Sequence, residues 1–189
     1  MPDTNSIWTN EKDPKQLTLF QRSFREKWEA ITAAGDATLV IPEVVFLEIA
    51  SQKTRAIAHH YSQGRRNLTD VTQTLGLEME LPAEMDSKQI APLVVKRLRE
   101  EMNSTPRCKE YTTHYKLITE DRLKEIVQAS IWRWPPFKAG SDEGGFRDAI
   151  LLETVYTLVW TNIHTDVALI TKDGRRDRPL AYAWRRLLA

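Results

Sequence analysis

The stretch GGFRDAILLETVYTLVW, residues 144–160, decides the reading of this chain. Two glycines precede an acid, and a nearly unbroken apolar run follows it. Apolar residues on every side describe a helix built for burial, not an amphipathic surface helix. Asp148 stands where that run begins. A carboxylate at such a place either serves the helix dipole or holds something at the mouth of the helix, and the residues alone leave both readings open. Glu153, five residues further on, is not quite on the same face. It supports a ligand group from behind or forms a buried pair.

The rest of the chain falls into place around this helix, expected over 145–162. ATLVI at 37–41 reads as a short buried strand and DVALIT at 166–171 as another. Pro42 suits the first turn of a helix carrying EVVFLEIASQKTRAIAHHY. QLTLFQRSFREKWEAITAAG puts Leu17, Phe20, Phe24, Trp28 and Ile31 on one helical face, with Gly35 as the stop. A short helix is expected over 64–82, closed by Pro82. DSKQIAPLVVKRLREEM reads as a helix capped by Asp86 or Ser87. TEDRLKEIVQASIW reads as another, capped by Thr119 with acids in its first turn. RWPPFKAGSDEGG is a loop in which Asp142 and Glu143 are solvated, and a last helix starts at Pro179. Helices alternating with short apolar strands predict an α/β fold with a parallel sheet.

The bulk properties narrow the function. A chain of 189 residues is long enough for one domain with a real core, and 41% apolar with 28% charged residues describe a globular protein. The net charge of +1 advertises no global attraction to nucleic acid, so any basic surface is local. The lone cysteine, Cys108, excludes a disulfide framework and a Cys-rich zinc site. His59, His60, His114 and His164 lack zinc-ligand spacing. Glu153 interrupts the longest apolar stretch short of membrane-spanning length, and the polar N-terminus lacks a secretory core. The expected compartment is the cytoplasm, with no membrane association.

Acids at element junctions carry the chemical argument. Asp3 lies in PDTNSIW, Glu48 in the apolar first turns of its helix, Asp148 at the start of the buried helix, and Asp173 directly after ALITK. Strand C-termini and helix N-termini of a parallel sheet share one edge, where ligands bind. Carboxylates gathered there repel unless something neutralises them. A hard divalent cation does so, and oxygen donors without a Cys/His cluster favour magnesium or manganese over zinc. Each acid also has a plainer reading: a dipole partner for Asp148, a turn residue for Asp173, a half-exposed helix residue for Glu48, a loose terminus for Asp3.

In these blocks and their order the sequence resembles the PIN (PilT N-terminus) domain family. DTN at 3–5, IPEVVFLEI at 41–49, GFRDAILLETV at 145–155 and ALITKD at 168–173 look like its four acidic blocks, and together they span essentially the whole chain. WPPFK with GGFRDA looks like a larger PIN-like subgroup. The resemblance implies a three-layer α/β/α domain, here a single domain over 1–189, with a short central parallel sheet. It also implies metal-dependent hydrolysis of phosphodiester bonds, commonly in single-stranded RNA. The implied metal ligands and catalytic residues are Asp3, Glu48, Asp148 and Asp173, holding Mg2+ or Mn2+, with Asn5 and Thr171 in support. A protein antitoxin, as in toxin–antitoxin pairs, and a homodimer are implied partners. A catalytically weak nucleic-acid-binding module and a DNA nuclease are the alternatives.

The sequence departs from the family pattern in three places. Only Met1 and Pro2 precede Asp3, so the apolar first strand is missing, and the chain is a fragment or its start is misplaced. Glu48 and Asp148 stand far apart, and a helical insert is expected over roughly 60–135. Asp177 does not fall where a second acid often follows, which leaves Asp173 as the ligand and Asp177 as an outlying support.

Substrate contact is expected from local basic residues. Arg175 and Arg176 lie beside the fourth block and suit phosphate binding. GRRN at 64–67 is a further basic candidate, while KRLR at 96–99 reads better as a solvated face because Glu100 and Glu101 follow. Trp132 and Trp134 could stack on bases, but packing against the insert is the preferred reading.

Overall fold

The computed structural model describes residues 17–112, 118–132 and 145–161. Within them the chain runs α1 (Arg22–Ala34), β1 (Leu39–Pro42), α2 (Glu43–Leu75), α3 (Ser87–Ser104), β2 (Cys108–Tyr111), α4 (Glu120–Ile131) and α5 (Phe146–Thr161). The strands pair in parallel, Leu39 opposite Cys108 and Pro42 opposite Tyr111. This is an α/β arrangement with a short parallel sheet, as the alternating pattern predicts.

The chain divides into two compact units. The first holds 37–46 and the described residues from 108 onward. The second holds the described residues up to 36 and then 47–107. The second unit therefore supplies most of the connection between the two parallel strands.

In the first unit, Leu39 and Ile41 of β1 are buried. Pro42 belongs to the end of that strand, and α2 begins one residue later than expected. A proline lacks the N–H a ladder needs, so it fits a strand end as well as a first helical turn. β2 is a finding of the structure. CKEY carries no alternation to announce it, and it lies inside the stretch 60–135 for which only helix is expected. Thr119 caps α4 as expected, its Oγ1 accepting from the Arg122 N–H at 3.3 Å. Ile126 of α4 packs with Ala149 of α5, with Ala129 against them. Trp132 is 66% exposed, so the packing expected of it does not occur. It follows the last turn of α4 as its C-cap.

In the second unit, α2 continues far beyond the expected break. It passes through Gly64, where a Cβ would meet nothing within 4 Å. A helical glycine costs about 1 kcal/mol, too little to break a helix of good formers on both sides. The stop is Gly76, not Pro82. Gly76 has φ +61, its N–H donates to Gln73 O, and the Leu77 N–H donates to Thr72 O at 2.9 Å. This pair of bonds is the Schellman closure, which favours glycine at the left-handed position. α1 starts at Arg22, later than the apolar pattern suggests. Leu19 and Phe20 are buried just before it, and the Glu101 carboxylate accepts from both their N–H groups. Trp28 is buried, but Ile31 is 48% exposed, so the expected apolar face is only partly covered.

The same unit shapes the turn that leads into β2. The Trp28 indole donates to Pro106 O at 2.9 Å, and the Arg107 guanidinium binds Gly35 O and Asp36 Oδ1. Arg107 itself has φ +51, a left-handed conformation disfavoured for a side chain with a Cβ. Its side-chain contacts and the indole bond offset that strain, on the order of 1 kcal/mol.

α3 buries Ile90, Val94, Leu98 and Met102, one residue per turn. Of the two expected caps it uses Asp86, in a reciprocal capping box. Asp86 Oδ1 accepts from the Gln89 N–H, and Gln89 Oε1 accepts from the Asp86 N–H, both at 2.9 Å. Asp86→Ala is expected to cost about 1 kcal/mol. Thermal unfolding would register this as a lower midpoint, and an unchanged midpoint would show that the box contributes nothing.

Candidate functional site

α5 starts with the bond from the Ala149 N–H to Gly145 O at 2.9 Å, which puts Asp148 in the first helical turn. Residues 149–155 are then buried without a break, Val155 completely. Each large apolar side chain in that run contributes roughly 1.5–3 kcal/mol of burial, so the helix is fixed by its core. Asp148 is half-buried at its mouth. Position and partial access suit both the dipole and a cation outside the helix end.

Glu153 is the buried acid of this helix, with its side chain 8% exposed. The structure settles its role as a pair. Arg122 of α4 donates to both carboxylate oxygens, from Nη2 to Oε1 and from Nε to Oε2 at 3.4 Å. Arg122 also binds Glu125, and its guanidinium lies 5.7 Å from the centre of the Tyr156 ring. Burial lowers the Arg122 pKa. Hydrogen bonding and charge from Glu153, with Glu125 behind, outweigh that and hold it above the ordinary arginine range. Reading the sequence misses Arg122, because a partner 31 residues away leaves no periodic trace.

Glu48 lies in the second unit, early in α2, and is half-buried. Its Oε1 accepts from Gln52 Nε2 at 3.3 Å, one turn on. Leu47 beside it is 46% exposed, while Ile49 and Ala50 are buried, so the carboxylate stands at the border of the apolar face. Gln52 is the second residue that inspection of the sequence did not single out. An i,i+4 amide beside the acid is the signal that could have found it.

The remaining expected residues, Asp3, Asn5, Thr171, Asp173, Arg175 and Arg176, lie outside the described residues. Among the described residues no three His, Cys, Asp or Glu side chains gather as a metal group. The two described acids of the expected set are hard oxygen donors, each partly open to solvent. Their chemistry fits a hard divalent cation and not a soft one. Lys96, Arg97 and Arg99 are exposed, and Arg97 meets Glu100 at 3.5 Å, in keeping with a solvated face at 96–99. Among the described residues no helix is long and apolar enough to cross a membrane.

A parallel sheet joined through helices, with an acid opening a buried helix, defines an α/β class of protein. The chain belongs to the PIN domain family, which it matches over residues 3–176. That match covers all four acidic blocks. No curated protein matches the chain and no solved structure does. PIN domains are generally nucleases and typically bind divalent metals.

Proposed function

We propose that this protein is an endoribonuclease, dependent on Mg2+ or Mn2+, that hydrolyses phosphodiester bonds of single-stranded RNA in the cytoplasm. The observation that carries the reading is Asp148: a half-buried acid opening a helix whose next seven residues are buried, within a chain that matches the PIN domain along nearly its whole length. Asp3, Glu48, Asp148 and Asp173 supply the oxygen donors. A bound divalent ion contributes charge neutralisation and a more acidic water at the phosphodiester. Gln52 holds the Glu48 carboxylate in place. Asn5 and Thr171 orient the donors, and Arg175 and Arg176 hold substrate phosphates. No serine, cysteine or histidine nucleophile is required, and the expected products are a 5′-phosphate and a 3′-hydroxyl. A toxin role, with a protein antitoxin covering the acidic residues, belongs to the same reading.

Cleavage of a labelled single-stranded RNA is therefore expected to need Mg2+ or Mn2+ and to stop in chelator. Undiminished cleavage in chelator would remove the basis for the mechanism. Preference for a single-stranded DNA competitor would move the assignment to the deoxyribonuclease alternative.

A further inference from the structure

A groove of about 980 Å³ lies within the second unit, between the middle of α2 and the segment that enters α3. Two contacts hold that segment on α2. The Tyr61 hydroxyl donates to Ala83 O, and Arg65 pairs with Glu84 at 3.2 Å. Arg55, His59 and Arg66 line the groove from α2, and Lys88 lines it from the first turn of α3.

The charges do not cancel. Of the two carboxylates on the groove, Glu84 is neutralised by Arg65, while Asp86 is oriented by the capping box and keeps its charge. Arg55, Arg66 and Lys88 are exposed and have no carboxylate partner among the described residues. Three cations against one carboxylate left without an ion-pair partner thus give this trough a positive balance on a chain whose net charge is only +1. Arg55 and Arg66 lie about 16.5 Å apart along α2 at 1.5 Å per residue, close to the length of roughly five stacked nucleotides at about 3.4 Å each. Arg66 belongs to GRRN at 64–67.

We infer that this groove, whose lining does not include Glu48, binds the phosphate backbone of single-stranded RNA through Arg55, Arg66 and Lys88. The inference rests on the nuclease reading for the identity of the polyanion. Contacts to phosphate position a strand and carry no base information, so the groove adds affinity and register without sequence preference.

Binding in chelator tests this without cleavage, so it can fail while the nuclease reading stands, and the reverse. The full chain is titrated into a fluorescent single-stranded RNA at a series of salt concentrations. The triple variant Arg55→Ala, Arg66→Ala, Lys88→Ala is expected to lose roughly a hundredfold in affinity at about 0.1 M monovalent salt. Its log–log salt slope should be shallower by about 2, from three contacts at about 0.7 each. The charge-retaining variant Arg55→Lys, Arg66→Lys is expected to keep the slope. Absence of RNA binding by the unaltered chain would overturn the inference. So would an unchanged slope in the triple variant, or a polyglutamate competitor as effective as RNA per charge.

Discussion

Asp148→Asn is expected to reduce RNA cleavage by about two orders of magnitude or more, the scale of removing one preorganised electrostatic group from a reaction centre. The amide keeps the shape of the side chain and removes its charge. Because residues 149–155 fix the helix by burial, the thermal midpoint should stay within a few degrees. Asp173→Asn is expected to behave alike. Single-turnover cleavage measured beside thermal unfolding separates the two roles. A variant that cleaves normally but melts early would mean that Asp148 is only a partner of the helix dipole.

The second large effect concerns stability, and it is asymmetric. Arg122→Ala leaves Glu153 buried with its ion-pair partner removed. Breaking a buried pair from one side costs about 3–5 kcal/mol. Arg122 keeps a third of its side chain in solvent, so about 2–3 kcal/mol is the better expectation here. For a domain of this size that is a fall in melting temperature of roughly 5–10 °C. Glu153→Gln should cost less, because the amide still accepts a hydrogen bond and Arg122 retains Glu125. The double change Arg122→Met, Glu153→Leu should recover much of the loss. The raised Arg122 pKa means the arginine's share is fully present below the ordinary arginine range and fades only above it. Equal small losses for both single variants would show that the pair contributes little.

These two acids show how far the sequence could be read. Asp148 was legible because an acid bordering a long apolar run contradicts the run. Glu153 was legible as an anomaly, but its resolution was not, since the partner comes from another helix. The caps at Asp86 and Thr119 were legible because capping is a local exchange between residues three apart. α5 was legible for its unbroken hydrophobicity. β2 was not, because a polar four-residue strand has no pattern of its own and is recognised by its pairing with β1. The length of α2 was underestimated for a similar reason. Gly64 weakens a helix slightly, and the stop awaited a glycine that could adopt φ +61. Of the candidate site, the position of Glu48 and Asp148 beside buried residues was legible, and the other expected residues lie outside the described ones.

The pairing of Leu39 with Cys108 has an energetic meaning of its own. Joining two points that far apart in a flexible chain costs about 4 kcal/mol of loop-closure entropy or more. Two strands of four residues recover little of that by themselves. The cost falls only if the intervening chain is already ordered, because a folded segment leaves fewer free links to close. Order in residues 47–107 and the existence of the sheet are therefore coupled. A substitution that loosens the Schellman closure or the Asp86 box weakens β1 and β2 without touching either strand.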